Sequence, residues 1–181
     1  MSEAQVLLLP GWQGSGPGHW LGRWEALHGH ARVEQHDWLT PRRGDWLARL
    51  EETVIDARRP LVLVAHDLGC LLVAAWARHS RHGARVRGAL LVAPADLEQS
   101  GAAPRLPGWT TIVRDRLPFA SLLVASRDDP RCAFGRAQEL AQDWGSRLVD
   151  AGARGHLDAD AGLGDWPEGL ELIRPWLGTA D

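Results

Sequence analysis

The stretch Leu61–Trp76 constrains the fold of this chain more than any other. Leu61–Ala65 is an uninterrupted apolar run, as expected of a parallel strand that is covered on both faces. A short turn at residues 66–69 follows it. A helix is predicted over Leu68–His79, and because its apolar residues run almost all the way round, it should be buried. A strand, a sharp turn and a buried helix in direct succession indicate the centre of a parallel α/β sheet.

The rest of the chain also alternates between strand and helix. The predicted strands are Gln5–Leu9, Ala31–Gln35, Leu61–Ala65, Val86–Ala93, Ser121–Ala125 and Arg147–Asp150. The predicted helices are His19–His28, Asp45–Ala57, Leu68–His79, Phe134–Trp144 and Leu170–Leu177. This order predicts a mostly parallel six-stranded sheet with helices on both faces, in the α/β class. The segment Ala95–Phe119 has room for a short helix but not for a second domain, so we expect one domain over residues 1–181.

Composition excludes several kinds of partner. The 181 residues are 45% hydrophobic and 24% charged, with a net charge of −3. No basic surface therefore favours nucleic acid or an anionic membrane. No apolar run has the length of a membrane helix, and the N-terminus lacks the pattern of a signal peptide. We expect a cytoplasmic protein that acts on a small molecule, with its oligomeric state left open.

The two cysteines, Cys70 and Cys132, suggest neither a disulfide framework nor a metal knuckle. We expect both to be small buried side chains. No other cluster of residues has the spacing of a metal site, so we expect neither a metal nor a cofactor.

Acidic residues and a histidine follow three of the predicted strands. Asp67 comes after the central strand, Asp128 and Asp129 follow Ser121–Ala125, and His156 lies in the loop after the last strand. Singly, each has an ordinary alternative: a helix N-cap, a turn, or a solvated loop histidine. Functional groups in open parallel sheets gather at the carboxyl ends of the strands. Nucleophile, acid and histidine in this order therefore predict a catalytic triad.

Backbone N–H groups near Asp67 complete the predicted site. The helix that begins at Leu68 directs its first N–H groups at developing negative charge. The loop after the first strand holds four glycines in residues 10–18, which allows its backbone to approach a ligand closely. We expect the N–H groups of Leu68 and Trp12 to form an oxyanion hole. The Trp12 indole has two open interpretations, a halide donor or core packing, and packing is favoured.

The sequence resembles the small, cap-less α/β hydrolases typified by YdeN and the retinoblastoma-binding serine hydrolase. The resemblance covers nearly the whole chain, and its motifs are Leu9-Pro10-Gly11-Trp12 with Trp20 and Trp24, Val64–Cys70, Ser126–Pro130 and Gly155-His156. It implies an α/β-hydrolase fold and carboxylesterase-type hydrolysis, with position 67, Asp129 and His156 as the triad. Asp129 is preferred to Asp128 because the orienting acid of such enzymes directly precedes the proline.

Residue 67 departs from this family, which has serine where Asp67 stands. Attack of a carboxylate on an ester gives a mixed anhydride, from which the carboxylate leaves again easily, so ester hydrolysis should be weak or lost. One alternative is an aspartate nucleophile that cleaves carbon–halogen or epoxide bonds through an alkyl-enzyme ester. Against it, the chain lacks room for a cap, and Leu68 stands where dehalogenases have tryptophan. A non-catalytic binding protein is the remaining alternative.

Overall fold

A six-stranded parallel sheet forms the middle of the molecule. The computed structural model describes residues 3–99 and 106–178. The strands are β1 (Gln5–Leu9), β2 (Ala31–Arg32), β3 (Leu61–Asp67), β4 (Val86–Pro94), β5 (Ala120–Ala125) and β6 (Arg147–Asp150). They lie in the order β2-β1-β3-β4-β5-β6, and all neighbours are parallel. The predicted six-stranded architecture is confirmed.

Five α-helices connect and flank these strands. They are α1 (Trp20–His28), α2 (Arg43–Asp56), α3 (Leu68–His79), α4 (Phe134–Trp144) and α5 (Pro167–Leu177). Helix α5 begins three residues before the predicted Leu170. Trp166, just before the helix, has a left-handed backbone conformation, and Pro167 occupies the first turn, where a proline is tolerated. None of the helices within residues 3–99 and 106–178 is long and apolar enough to cross a membrane.

The two faces of the sheet bury two separate cores, as alternation along each strand requires. Leu7 and Leu9 of β1 point into the core formed with α2, α3 and α4. Val6 and Leu8 point into the other core, which includes residues of α1 and α5. The helices therefore lie on both faces, as predicted.

The segment between β4 and β5 contains neither helix nor strand in its described parts, residues 95–99 and 106–119. Its residues 100–105 lie outside the described chain. An ion pair holds the first part in place, since Arg136 of α4 lies 2.9 Å from the buried carboxylate of Asp96. Trp109 anchors the second part by packing into the core and donating its indole N–H to the carbonyl of Pro41. These two described parts pack against the sheet and its helices.

Both cysteines are free and buried, which agrees with the prediction for them. Burial raises the pKa of the Cys132 thiol to about 12 and that of Cys70 well above its ordinary value. Thiols with raised pKa values are poor nucleophiles at neutral pH, so both residues serve as core packing.

Candidate active site

Asp67 occupies a strained turn between β3 and α3. Its backbone has a positive φ, with φ 53° and ψ −119°, which a non-glycine residue adopts rarely and at a cost. The turn is tight enough that a Cβ on Gly69 would overlap the carbonyl oxygen of Leu9. The Asp67 side chain makes no capping hydrogen bond to α3, so an N-cap does not explain this residue.

His156 lies between two buried carboxylates. Its Nε2 is 3.1 Å from Oδ1 of Asp67, and its Nδ1 is 3.0 Å from both carboxylate oxygens of Asp129. Ionised carboxylates accept hydrogen bonds but cannot donate them, so both contacts are satisfied when both ring nitrogens carry protons. The geometry therefore favours an imidazolium held between two anions.

The two neighbouring aspartates of the turn after β5 have different contacts. Asp129 reaches His156, while Asp128 accepts hydrogen bonds from Gly155 N–H and from the hydroxyl of Ser126, each at 2.8 Å. Ser126 in turn accepts from the backbone N–H of Arg154. Asp128 and Ser126 thus fasten the loop that presents His156, and Asp129 alone of the pair contacts the imidazole.

The backbone of the glycine-rich loop binds the Asp67 carboxylate directly. Trp12 N–H donates to Oδ2 of Asp67 at 3.0 Å, and Leu68 N–H also stabilises the charged form. The approach is so close that a Cβ on Gly11 would overlap Asp67. The Trp12 indole N–H donates to the carbonyl of Leu39 at 2.9 Å, and its ring packs against the core. These contacts favour the packing interpretation of Trp12 over the halide-donor alternative.

Neighbouring charges stabilise the ionised forms of Asp67 and His156. Burial alone would lower the pKa of His156, but hydrogen bonds to Asp129 and Asp67 outweigh it and raise the pKa to about 9. Burial alone would raise the pKa of Asp67, but its bond to His156 holds that pKa well below the ordinary range. At neutral pH the site therefore holds a protonated imidazole between two carboxylates.

Two residues that the sequence analysis did not single out contact His156 and Asp67. His66 Nε2–H donates to the carbonyl oxygen of His156 at 2.9 Å, and burial lowers the pKa of His66 to about 4, so it stays neutral. Arg131 places a guanidinium nitrogen 3.6 Å from Oδ1 of Asp67. The sequence offered one signal for each: His66 directly precedes Asp67, and Arg131 lies two residues after Asp129.

Two cavities meet at Asp67. One has a volume of about 220 Å³ and is mainly apolar, with walls formed by Trp12, Asp67, Leu68, Ala95, Leu97, Leu106, Pro130 and Arg131. The other has a volume of about 250 Å³ and is mainly polar. The glycine-rich loop, His19, His66, His156 and the segment 158–160 line it, again with Asp67 and Arg131. A reacting group at Asp67 would thus contact an apolar space and a polar one.

Within the part of the chain that the structure describes, no group of three or more His, Cys, Asp or Glu side chains is arranged to hold a metal ion. The acidic residues nearest the centre are instead paired with His156, Arg131 or backbone N–H groups.

Comparison with known proteins places these features in a family. A family model described as "Serine hydrolase" matches residues 6–175. The chain belongs to this family. It is 28% identical to a hydrolase named YdeN from Bacillus subtilis, over 96% of both chains. The structure of a YdeN-like hydrolase from Pectobacterium atrosepticum has a TM-score of 0.82 at 29% identity, covering 96% of this chain and 90% of that one.

The B. subtilis ydeN gene product has the same fold, with a TM-score of 0.77 at 21% identity over 97% of this chain and all of that one. The α/β-hydrolase fold, the YdeN-like family and the assignment to the hydrolases are therefore confirmed.

Proposed function

We propose that the chain is a carboxylesterase-type hydrolase whose hydrolysis of simple esters is weak or absent with aspartate at position 67. Asp129 orients His156, and the backbone N–H groups of Trp12 and Leu68 form the oxyanion hole. One observation supports this most directly: Trp12 N–H donates to Oδ2 of Asp67 at 3.0 Å. The donor that an ester oxyanion would need is thus bonded to the protein's own carboxylate.

The charge state of His156 also disfavours ester hydrolysis in this form. A general base must have a free lone pair, and with a pKa of about 9 the His156 ring is protonated at neutral pH. Serine at position 67 would remove one of the two carboxylates that raise this pKa. The same change would free the Trp12 N–H for a substrate oxygen.

Asp67→Ser tests the proposal on short p-nitrophenyl esters. We expect the serine form to hydrolyse them at least about a hundredfold faster than the unaltered chain, since a missing nucleophile costs such enzymes several orders of magnitude. Adding His156→Ala to Asp67→Ser should abolish the gain. An inactive, folded serine form would contradict the proposal, as would an unaltered chain that is equally active.

A second candidate, attack of Asp67 on a saturated carbon, is favoured by the apolar cavity at its carboxylate. The cavity of about 220 Å³ fits a small haloalkane or epoxide. Oδ1 of Asp67 would form the new C–O bond while the carbon–halogen bond breaks and halide leaves, or while the epoxide ring opens to an alkoxide. Two cations lie beside Oδ1, the protonated His156 ring at 3.1 Å and the Arg131 guanidinium at 3.6 Å, and both would favour the developing anion.

The alkyl ester formed in that step would change the state of His156. Alkylation removes the negative charge of Asp67, so the pKa of His156 falls and its Nε2 can accept a proton from water. Hydroxide attack at Cγ of Asp67 would place the oxyanion on Oδ2, where Trp12 N–H already donates. Cleavage of the bond between Cγ and Oδ1 then releases the alcohol and restores the carboxylate.

Halide release and mass spectrometry distinguish this second candidate from the first. Incubation with short haloalkanes or epoxides should give product with the unaltered chain and none with Asp67→Asn. His156→Ala should trap an alkyl adduct on Asp67, because the second step loses its base. Inactivity on every substrate in both the aspartate and the serine forms would favour the non-catalytic binding protein instead.

A further inference from the structure

The polar cavity contains buried polar atoms that no described residue satisfies. Ser15 Oγ and His19 Nε2 have no hydrogen-bond partner among residues 3–99 and 106–178. The two residues are only 8% and 5% exposed, and both line the cavity of about 250 Å³ that reaches Asp67 and His156. Buried polar groups are nearly always hydrogen-bonded, so these two atoms are available to bond a polar group that enters the cavity.

His19 offers an uncharged donor. Its Nδ1 accepts the backbone N–H of Leu21 at 3.1 Å, which caps helix α1 and leaves the ring proton on Nε2. Burial lowers the pKa of His19 to about 3, so the ring is neutral at neutral pH. Ser15 adds a hydroxyl that can both donate and accept.

The loop that carries these groups is fixed before any ligand binds. Arg32 donates from its guanidinium to the carbonyl of Ser15, and His19 N–H donates to the carbonyl of Gly16, each at 3.0 Å. Gln13 N–H donates to the carbonyl of Trp38 at 3.0 Å. A ligand would therefore meet preorganised groups and would not have to order the loop.

The charges around the cavity select the kind of ligand group. The carboxylates of Asp67, Asp158 and Asp160 line it, together with two cations, the Arg131 guanidinium and the protonated His156 ring. An anionic group would meet carboxylates, and a cationic group would meet Arg131 and the His19 N–H donor. A neutral hydroxyl can accept from His19 and pair with Ser15 or a carboxylate. The chemistry of the lining thus fits a neutral alcohol.

We propose that the polar cavity binds a neutral, hydroxyl-bearing arm of the substrate, a polyol for example, through Ser15 and His19. The apolar cavity on the other side of Asp67 takes a short apolar arm. The inference rests on the proposed function in one respect: Asp67 is taken as the point where the substrate reacts. It then specifies the substrate class, a small molecule with one apolar arm and one hydroxylated arm joined at the reacting bond.

Two probes that cannot be hydrolysed test this on the unaltered chain. 1-O-Butylglycerol carries both arms, and butyl propyl ether has the same skeleton without the hydroxyls. Their affinities are measured by NMR chemical-shift titration in the unaltered chain, in Ser15→Ala and in His19→Asn, where asparagine keeps an acceptor for Leu21 N–H. The exposed Thr111, which lines neither cavity, supplies the control Thr111→Ala.

We expect the affinity of 1-O-butylglycerol relative to butyl propyl ether to fall about threefold to tenfold in Ser15→Ala and in His19→Asn, the size of one lost hydrogen bond. Thr111→Ala should leave the ratio unchanged. An unchanged ratio in both cavity variants would overturn the inference and mark an ordinary hydrated cavity. If His19→Asn does not fold, Ser15→Ala decides alone. Because the probes do not react, this outcome is independent of whether Asp67→Ser gains esterase activity.

Discussion

At the scale of the residue, Asp67 changes the site more than a change of nucleophile alone would suggest. A serine has one oxygen, which faces the histidine. The carboxylate has two, and they contact different groups: Oδ1 lies 3.1 Å from His156 Nε2, and Oδ2 accepts from Trp12 N–H. In the proposed function, one side chain thus occupies both the nucleophile position and the oxyanion position. The bond to His156 acts with that of Asp129 to keep the ring protonated, and the bond from Trp12 occupies a donor that a substrate carbonyl would need.

The first prediction concerns the pKa of His156. NMR titration of its ring protons should give about 9 in the unaltered chain. Asp67→Asn removes one of the two facing charges and should lower this pKa by about one to three units. Asp128→Asn is the control, because Asp128 bonds Gly155 N–H and does not contact the ring. A His156 pKa that is the same in the unaltered chain and in Asp67→Asn would contradict the ion-pair description.

The sequence predicted the residue types of this site better than their contacts. Asp67, His156 and the pair Asp128 and Asp129 could be named because each follows a strand, and parallel strands end at one edge. The choice of Asp129 came from the family resemblance. Arg131 and His66 were missed because their contacts depend on where their side chains point. The sequence predicted that Trp12 N–H donates to a substrate oxygen. It did not predict that this N–H donates to Oδ2 of Asp67, because that bond depends on how closely Gly11 approaches β3.

At the scale of the element, the strand–turn–helix unit β3–α3 needs small residues at fixed places. Leu61–Ala65 was predicted as the strand from its apolar run, but pairing with β4 continues to Asp67, opposite Pro94. Backbone hydrogen bonding sets the end of the strand, and the apolar pattern of the sequence does not predict it. By contrast, β2 covers only Ala31–Arg32 and not the predicted five residues, because it pairs with β1 over just two positions.

The second prediction compares two glycines, each the second residue of a helix. A Cβ on Gly69 of α3 would overlap the Leu9 carbonyl, which belongs to β1 and cannot move aside easily. Gly69→Ala should therefore destabilise the fold by about 1–3 kcal/mol or more. A Cβ on Gly135 of α4 meets nothing within 4 Å, so Gly135→Ala should be neutral or stabilising by up to about 1 kcal/mol. Urea unfolding of both variants measures the difference, and equal stabilities would contradict the close packing of β1 against α3.

At the scale of the whole molecule, the strand order brings distant parts of the sequence to one edge. Trp12 follows β1, Asp67 ends β3, Asp129 follows β5 and His156 follows β6. Residues 67 and 156 are 89 positions apart, yet their side chains form one ion pair. The fold therefore holds a buried charge network whose proton content differs between the folded and unfolded chain. That difference makes global stability depend on pH.

The third prediction is the pH dependence of folding between pH 6.5 and 8. His156 has a pKa of about 9 in the folded protein and an ordinary value of 6.5 when unfolded, so its stabilisation is complete below pH 6.5 and is lost as pH rises through 9. Between pH 6.5 and 8, the stabilisation that His156 contributes should fall by about 1–2 kcal/mol. The lowered pKa values of His19, His30 and His66 act in the opposite direction, because the unfolded chain still binds protons at these residues near pH 6.5. Each should add about 0.4 kcal/mol of stability by pH 8, so the His156 contribution has to be isolated by comparison with a variant.

Urea unfolding at pH 6.5 and pH 8 of the unaltered chain and of Asp67→Asn measures this loss. The variant should lose less, because its His156 pKa lies closer to 6.5. The two buried cysteines also release protons on unfolding at high pH, but they are present in both chains and cancel in the comparison. Equal losses in the two chains would mean that the Asp67–His156 pair does not contribute to the stability of the fold.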